Sequence, residues 1–325
     1  MLTAIPLSEL RNSIIADYDL FICFNSFETR SATFSLNCDI SRFKQFYVFT
    51  NEVLREEAQK NLETIKSIIP SEKREIIPLP IDNPVCSADK IKSALYRIRD
   101  NSSPSIFIDV TTFTHEILLI LLAILKEKIP GAQVTCGYVN AAEYSCDTEK
   151  QEQKWLSRGI GDIRSILGYS GIIKPSQKTL LMVIVGYEYE RAVNIIDSIE
   201  PDFLALGYGI ASNATTEKNH GANMHYAQLV KQMATYYDDV EDFTLPCNNP
   251  YEAATAIKEQ IEKIGQGKNI IVVPMNNKLT TIGAALVNFE MPDVQLCYAP
   301  AIIYNYSAYS IPGDKCYLFD LDFSV

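Results

Sequence analysis

Leu79-Pro80-Ile81-Asp82-Asn83-Pro84 returns 166 residues later as Leu245-Pro246-Cys247-Asn248-Asn249-Pro250. Each copy closes a short apolar run and opens a segment with helical spacing. Two more landmarks recur in the same order. Ser26-Phe27-Glu28-Thr29-Arg30-Ser31 ends one apolar run, and Gly186-Tyr187-Glu188-Tyr189-Glu190-Arg191-Ala192 ends another. Gln133-Val134-Thr135-Cys136-Gly137-Tyr138 is echoed by Gln295-Leu296-Cys297-Tyr298. Three collinear matches at offsets of about 160 residues read as a tandem duplication, and the period is far too long for a solenoid. Each copy is therefore expected to be a domain.

Short apolar runs alternate with helical patterns throughout. In the first copy, residues 19–24, 46–49, 75–80, 105–110 and 133–138 read as strands, and 52–69, 88–98 and 114–128 as helices. The second copy gives strands at 180–185, 203–206, 243–245, 270–273 and 294–298, with helices at 191–199, 226–236, 251–264 and 279–289. Such alternation predicts an α/β fold of two tandem Rossmann-like domains with mainly parallel sheets. The expected division is a first domain over 1–150, a linker helix over 151–176, and a second domain over 177–325. The tyrosine-rich tail beyond Pro300 is expected to add a strand or hairpin to that second domain.

Composition narrows the function classes. At 325 residues with 47% hydrophobic and 21% charged residues, the chain suits two ordinary globular domains. A net charge of −11 argues against holding duplex nucleic acid, which requires a basic face. None of the eight cysteines shows C-x-x-C spacing, so no metal site is expected. The longest apolar stretch, 117–125, is too short to span a bilayer, and the N-terminus lacks a signal-peptide pattern. The expected location is a reducing cytoplasm.

In open parallel sheets, ligands sit outside the carboxyl ends of the strands, where the repeated phrases fall. The first copy offers Asn25, Ser26, Glu28 and Arg30 after its first strand, and Asp82 and Asn83 after its third. Asp109, Thr111, Thr112 and Thr114 follow its fourth. Small hydroxyl residues between strand and helix suit phosphate or ribose, and equally suit a helix cap. His115 and Glu116 are candidates for general acid–base work, or a surface histidine beside a capping glutamate. The second copy offers Glu188, Arg191, Asn248, Asn276, Asn277 and Lys278. A lysine at a helix start opposes the macrodipole, which makes it a candidate for touching an anion. The Glu28/Arg30 and Glu188/Arg191 sets fit either an ion pair that pins the fold or a repeated binding role. No P-loop, H-E-x-x-H or G-x-S-x-G occurs.

Phe107-Ile108-Asp109-Val110-Thr111-Thr112-Phe113-Thr114 resembles the fourth-strand motif of CRISPR-associated Rossmann-fold (CARF) sensor domains. That resemblance implies binding of a cyclic oligoadenylate or related nucleotide across a two-fold axis between copies. Tyr18-Asp19-Leu20-Phe21-Ile22-Cys23-Phe24 with Glu28-Thr29-Arg30 and Phe34 resembles the opening of TIR domains, which implies NAD cleavage through a glutamate, here Glu116. Both families belong to prokaryotic antiviral signalling. The leading expectation is a nucleotide-responsive sensor or regulatory protein with its ligand between the two rims. The alternatives are an NAD or nucleotide hydrolase, and a non-catalytic scaffold subunit. The expected partners are a nucleotide-type small molecule and a protein partner or second copy. No further cofactor is called for beyond a nucleotide or NAD-like ligand.

Overall fold

A computed structural model describes residues 2–80, 82–98, 103–150, 153–209, 217–234, 237 and 240–323. In chain order the first part holds β1 (Thr3–Pro6), α1 (Leu10–Ser13), β2 (Tyr18–Asn25), α2 (Thr33–Asn37), β3 (Phe43–Asn51) and α3 (Glu56–Ile68). It continues with β4 (Arg74–Leu79), α4 (Pro84–Leu95), β5 (Ser105–Asp109), α5 (His115–Lys128) and β6 (Gln133–Tyr144). Two short strands follow, β7 (Ser157–Arg158) and β8 (Arg164–Ser165). The next segment holds β9 (Thr179–Ile184), α6 (Tyr189–Ile199), β10 (Phe203–Gly209), α7 (Glu217–Met233), β11 (Val240–Leu245) and α8 (Pro250–Ile264). The chain ends with β12 (Asn269–Pro274), α9 (Lys278–Glu290), β13 (Gln295–Tyr298), β14 (Ile303–Tyr304) and β15 (Ser310–Leu321).

The protein is an α/β protein with two mainly parallel sheets. The first sheet runs β1-β15-β6-β5-β2-β3-β4 and the second β11-β10-β9-β12-β13-β8. Setting aside the antiparallel additions, each sheet has its five parallel strands in the order third, second, first, fourth, fifth. That is the doubly wound order, and it occurs twice. The strand order reverses between β2 and β5 in one unit and between β9 and β12 in the other.

Among the described residues the chain divides into one unit of 2–146 with 306–323 and another of 147–305. This corrects the expected boundary, because the C-terminal tail does not join the second domain. β15 pairs antiparallel with β6 of the first sheet, and β1 pairs in turn with β15. An amphipathic strand can join either sheet, so the local pattern could not choose between them. The expected linker helix over 151–176 is also not found, since no α-helix forms among the described residues 153–176. Gly159, Gly168 and Gly171 there take left-handed φ values of 70°, 90° and 61°, which interrupt a helix, and β8 pairs antiparallel with β13 instead.

The two cores differ in chemistry. In the first unit Phe21, Phe34, Phe43, Phe46 and Phe107 form one aromatic cluster, with ring centroids 4.9–5.8 Å apart. These rings share a core with Leu62 and Ile65 of α3. Gly137 in β6 is required by that cluster, since a Cβ there would lie 2.6 Å from the Phe34 ring and 2.9 Å from Phe107. The alternate residues Leu20, Ile22 and Phe24 face the other side of the sheet, where the Phe24 and Phe113 rings sit 5.4 Å apart just before α5. The second unit packs mainly aliphatic side chains, among them Leu181, Val183, Ile196, Leu206, Val230 and Val273. Among the described residues no helix is long and apolar enough to cross a membrane.

Candidate functional site

The crevice of a doubly wound sheet opens at the carboxyl ends of the strands that flank the order reversal. In the first unit these are β2 and β5, whose ends are in register through Cys23 and Asp109. The loop after β2 is tightly bonded to itself. The Ser26 amide donates to the Ser31 hydroxyl at 2.8 Å, and the Glu28 amide donates to the Ser26 hydroxyl at 3.1 Å. Asn61 of α3 braces the loop by donating to the carbonyls of Ser26 and Glu28, each at 2.8 Å.

Glu28 and Arg30 form a buried ion pair. They are 8% and 2% exposed, and Arg30 reaches the Glu28 carboxylate at 2.6 and 3.0 Å. Arg30 also donates to the Val139 carbonyl at 3.1 Å, and the Ser310 hydroxyl donates to Glu28 at 2.7 Å. The pair thus ties the β2 loop to β6 and to the returning C-terminal strand. Of the two readings open from the sequence, this arrangement is the one that pins the fold.

The loop after β5 carries Asp109, Thr111, Thr112 and Thr114. Asp109 is 2% exposed and accepts from the backbone amide of Thr111 at 3.1 Å and from the Thr111 hydroxyl. Burial pushes its carboxyl up to about 7, against the opposing pull of the Thr111 hydrogen bonds and Arg30. The Thr111 hydroxyl accepts from the Val139 amide at 3.0 Å, and Thr112 donates to the Phe24 carbonyl at 2.6 Å. Thr114 is the N-cap of α5, accepting from the Ile117 amide at 3.2 Å. His115 and Glu116, at 8% and 1% exposure, are buried in the first turn of α5.

Asp82 and Asn83 lie further off, after the edge strand β4. Both are exposed, and Asn83 caps α4 by accepting from the Cys86 amide at 3.0 Å. The structure therefore brings Asn25, Ser26, Glu28, Arg30, Asp109, Thr111 and Thr112 to one rim and leaves Asp82 and Asn83 outside that group.

The second unit repeats the plan with different side chains. Glu188 accepts from Arg191 and from Ser157, and Glu188 and Arg191 are 9% and 5% exposed. The Arg191 guanidinium lies 5.7 Å from the centroid of the Tyr298 ring. Asn276 donates to the Val185 carbonyl at 2.6 Å, which joins the β12 loop to the end of β9. Asn277 caps α9 by accepting from the Thr280 amide at 3.0 Å. Its amide also donates to the Cys247 carbonyl at 2.6 Å, drawing in the turn that holds half-buried Asn248. Lys278, the first residue of α9, is half-buried. Gly186 allows the β9 and β12 loops to touch, because a Cβ there would collide with the Met275 carbonyl.

Ser310, Asn61 and Ser157 were not legible as site residues, since each reaches its partner from a distant part of the chain. The eight cysteines are free thiols. Burial pushes those of Cys38, Cys247 and Cys297 up to about 12, which makes them poor nucleophiles. Among the described residues no group of three or more histidine, cysteine or acidic side chains is placed to hold a metal ion. A scan of the sequence against protein-family models finds no match, and a search of curated proteins finds no significant relative.

Proposed function

We propose that the protein is a nucleotide-responsive binding protein whose recognition loops are those at the carboxyl ends of its parallel strands. The observation that supports this best is the doubly wound strand order found in both sheets, with polar loops at each order reversal. A fold of this kind leaves backbone amides and small polar side chains at one rim, which suits phosphate and ribose groups. The resemblances of the Phe107–Thr114 and Tyr18–Phe24 stretches to CARF and TIR domains support a role in prokaryotic antiviral signalling.

Isothermal titration of the full chain against AMP, NAD and cyclic oligoadenylates tests the reading. At least one is expected to bind. Lys278→Ala is expected to weaken phosphorylated ligands about tenfold, roughly the 1.4 kcal/mol that one charge-assisted contact carries, and to spare unphosphorylated nucleosides. Absence of binding by every nucleotide tried would overturn the proposal.

A further inference from the structure

The chain leaves the first unit after Cys146 and returns to it at Tyr306, so the second unit is inserted between β6 and β15. Within each unit, the segments that flank these two crossings are bonded to each other. In the first unit the Ser145 amide donates to the Tyr309 carbonyl at 3.0 Å, and the Cys146 amide to the Ala308 carbonyl at 2.8 Å. In the second, β7 pairs antiparallel with β14, and the Asn305 amide donates to the Leu156 carbonyl at 2.9 Å.

One bond recurs where each pair of segments meets the rim of its own unit. The Ser310 hydroxyl donates to Glu28 at 2.7 Å, and the Ser157 hydroxyl donates to Glu188. Each glutamate also holds an arginine, Arg30 or Arg191, and all six residues are at most 9% exposed. Glu28 and Glu188 follow β2 and β9, the first parallel strand of each unit, within the repeated phrases. The serines come from β15 and β7, which those phrases do not include. The same bond is thus made twice by segments that share only their place beside a crossing. A hydroxyl donating to a carboxylate is among the stronger hydrogen bonds.

The rest of each pair is lightly held. Residues 306–309 are half-buried or exposed, as are Ile303 and Tyr304 of β14. Residues 306–310 lie along the β2 loop. The Thr29 hydroxyl donates to the Ser310 carbonyl at 3.3 Å, and the Phe27 ring stands edge-on to Tyr306 and Tyr309 at 4.8 and 5.3 Å between centroids. The Arg55 guanidinium lies 3.7 Å from the Tyr306 centroid. Surface segments with few buried contacts are the ones that open locally, below the free energy of unfolding.

We propose that the two serine–glutamate bonds are latches on a pair of straps. Each strap opens locally, independently of the other, while the unit that carries it stays folded. In the first unit an open strap takes Tyr306 and Tyr309 off Phe27 and bares the β2 loop, so the strap is a cover for that rim. The device needs no ligand and stands apart from the nucleotide reading.

The test is native-state hydrogen exchange of the full chain, of Ser310→Ala and of Ser157→Ala. Ser145 and Cys146 report on the first strap and Asn305 on the second. Val110, which donates to the Gly137 carbonyl, and Met275, which donates to the Ile184 carbonyl, report on the sheets beneath. Ser310→Ala is expected to speed exchange of Ser145 and Cys146 about tenfold, the loss of one hydrogen bond to a charged group, with Val110 and Asn305 unchanged. Ser157→Ala is expected to speed Asn305 about tenfold and to leave Met275, Ser145 and Cys146 unchanged. Equal acceleration of Val110 or Met275 would mean that the bond holds the whole unit, and the strap is wrong. Acceleration of the other crossing overturns independence, and no change in either variant overturns the latches.

Discussion

Glu28→Ala is expected to destabilise the first unit by about 3–5 kcal/mol, the cost of leaving a buried charge without its partner. Arg30 is 2% exposed and its remaining contacts are neutral groups, the Val139 carbonyl and the Ser310 hydroxyl. Were the pair exposed, the loss would be about 0–1 kcal/mol. Replacing both residues by methionine is expected to restore most of the loss, because the desolvation of both charges is then avoided. The chain has two units, so the measurement must report on the first alone. The sole tryptophan, Trp155, belongs to the second unit and is unsuitable. Urea-dependent hydrogen exchange of β2 and β5 serves instead. A loss below about 1 kcal/mol in those strands would show that the pair does not pin the rim.

The stability of the first unit is expected to fall as pH rises from about 4 to 7, through Asp109. The folded carboxyl holds its proton up to about 7, whereas the unfolded one releases it near the ordinary 3.8. The folded state binds more protons across that window, so this contribution is complete below the unfolded value and is lost as pH rises through the folded one. At about 1.4 kcal/mol per unit of pKa difference, the loss is about 4 kcal/mol. Asp109→Asn keeps an oxygen acceptor for Thr111 and removes the titration. The same exchange measurement, run from pH 4 to 8, should give a slope for wild type that is absent from Asp109→Asn. Identical slopes would place the Asp109 carboxyl near its ordinary value.

Much of the fold was legible because it is written in local patterns. The repeated Asn-Pro phrase marks two real helix starts, with Asn83 capping α4 and Asn249 capping α8. Strand order was not legible, because pairing β2 with β5 depends on contacts between distant segments. The fate of the tail was hidden for the same reason, since residues 310–321 would edge either sheet. α7 starts at Glu217, well before the expected 226, because its first turns are polar and show no apolar stripe.

The site was legible as a list of polar loops, but the role of each residue depends on burial and partners. Glu28 and Arg30 read equally as an ion pair or a ligand grip until Ser310 and Val139 are seen around them. Thr114 and Asn277 spend their side chains on capping, as their types allow.

We propose that nucleotide is recognised at the carboxyl ends of the parallel strands. Hydrogen exchange of the full chain, with and without saturating AMP or cyclic tetra-adenylate, tests it most directly. Slower exchange is expected in the loops after β2, β3 and β5, at residues 25–31, 51–58 and 109–116, with the opposite ends of those strands unchanged. Protection confined to the amino ends of the strands, or no protection with either nucleotide, would contradict it.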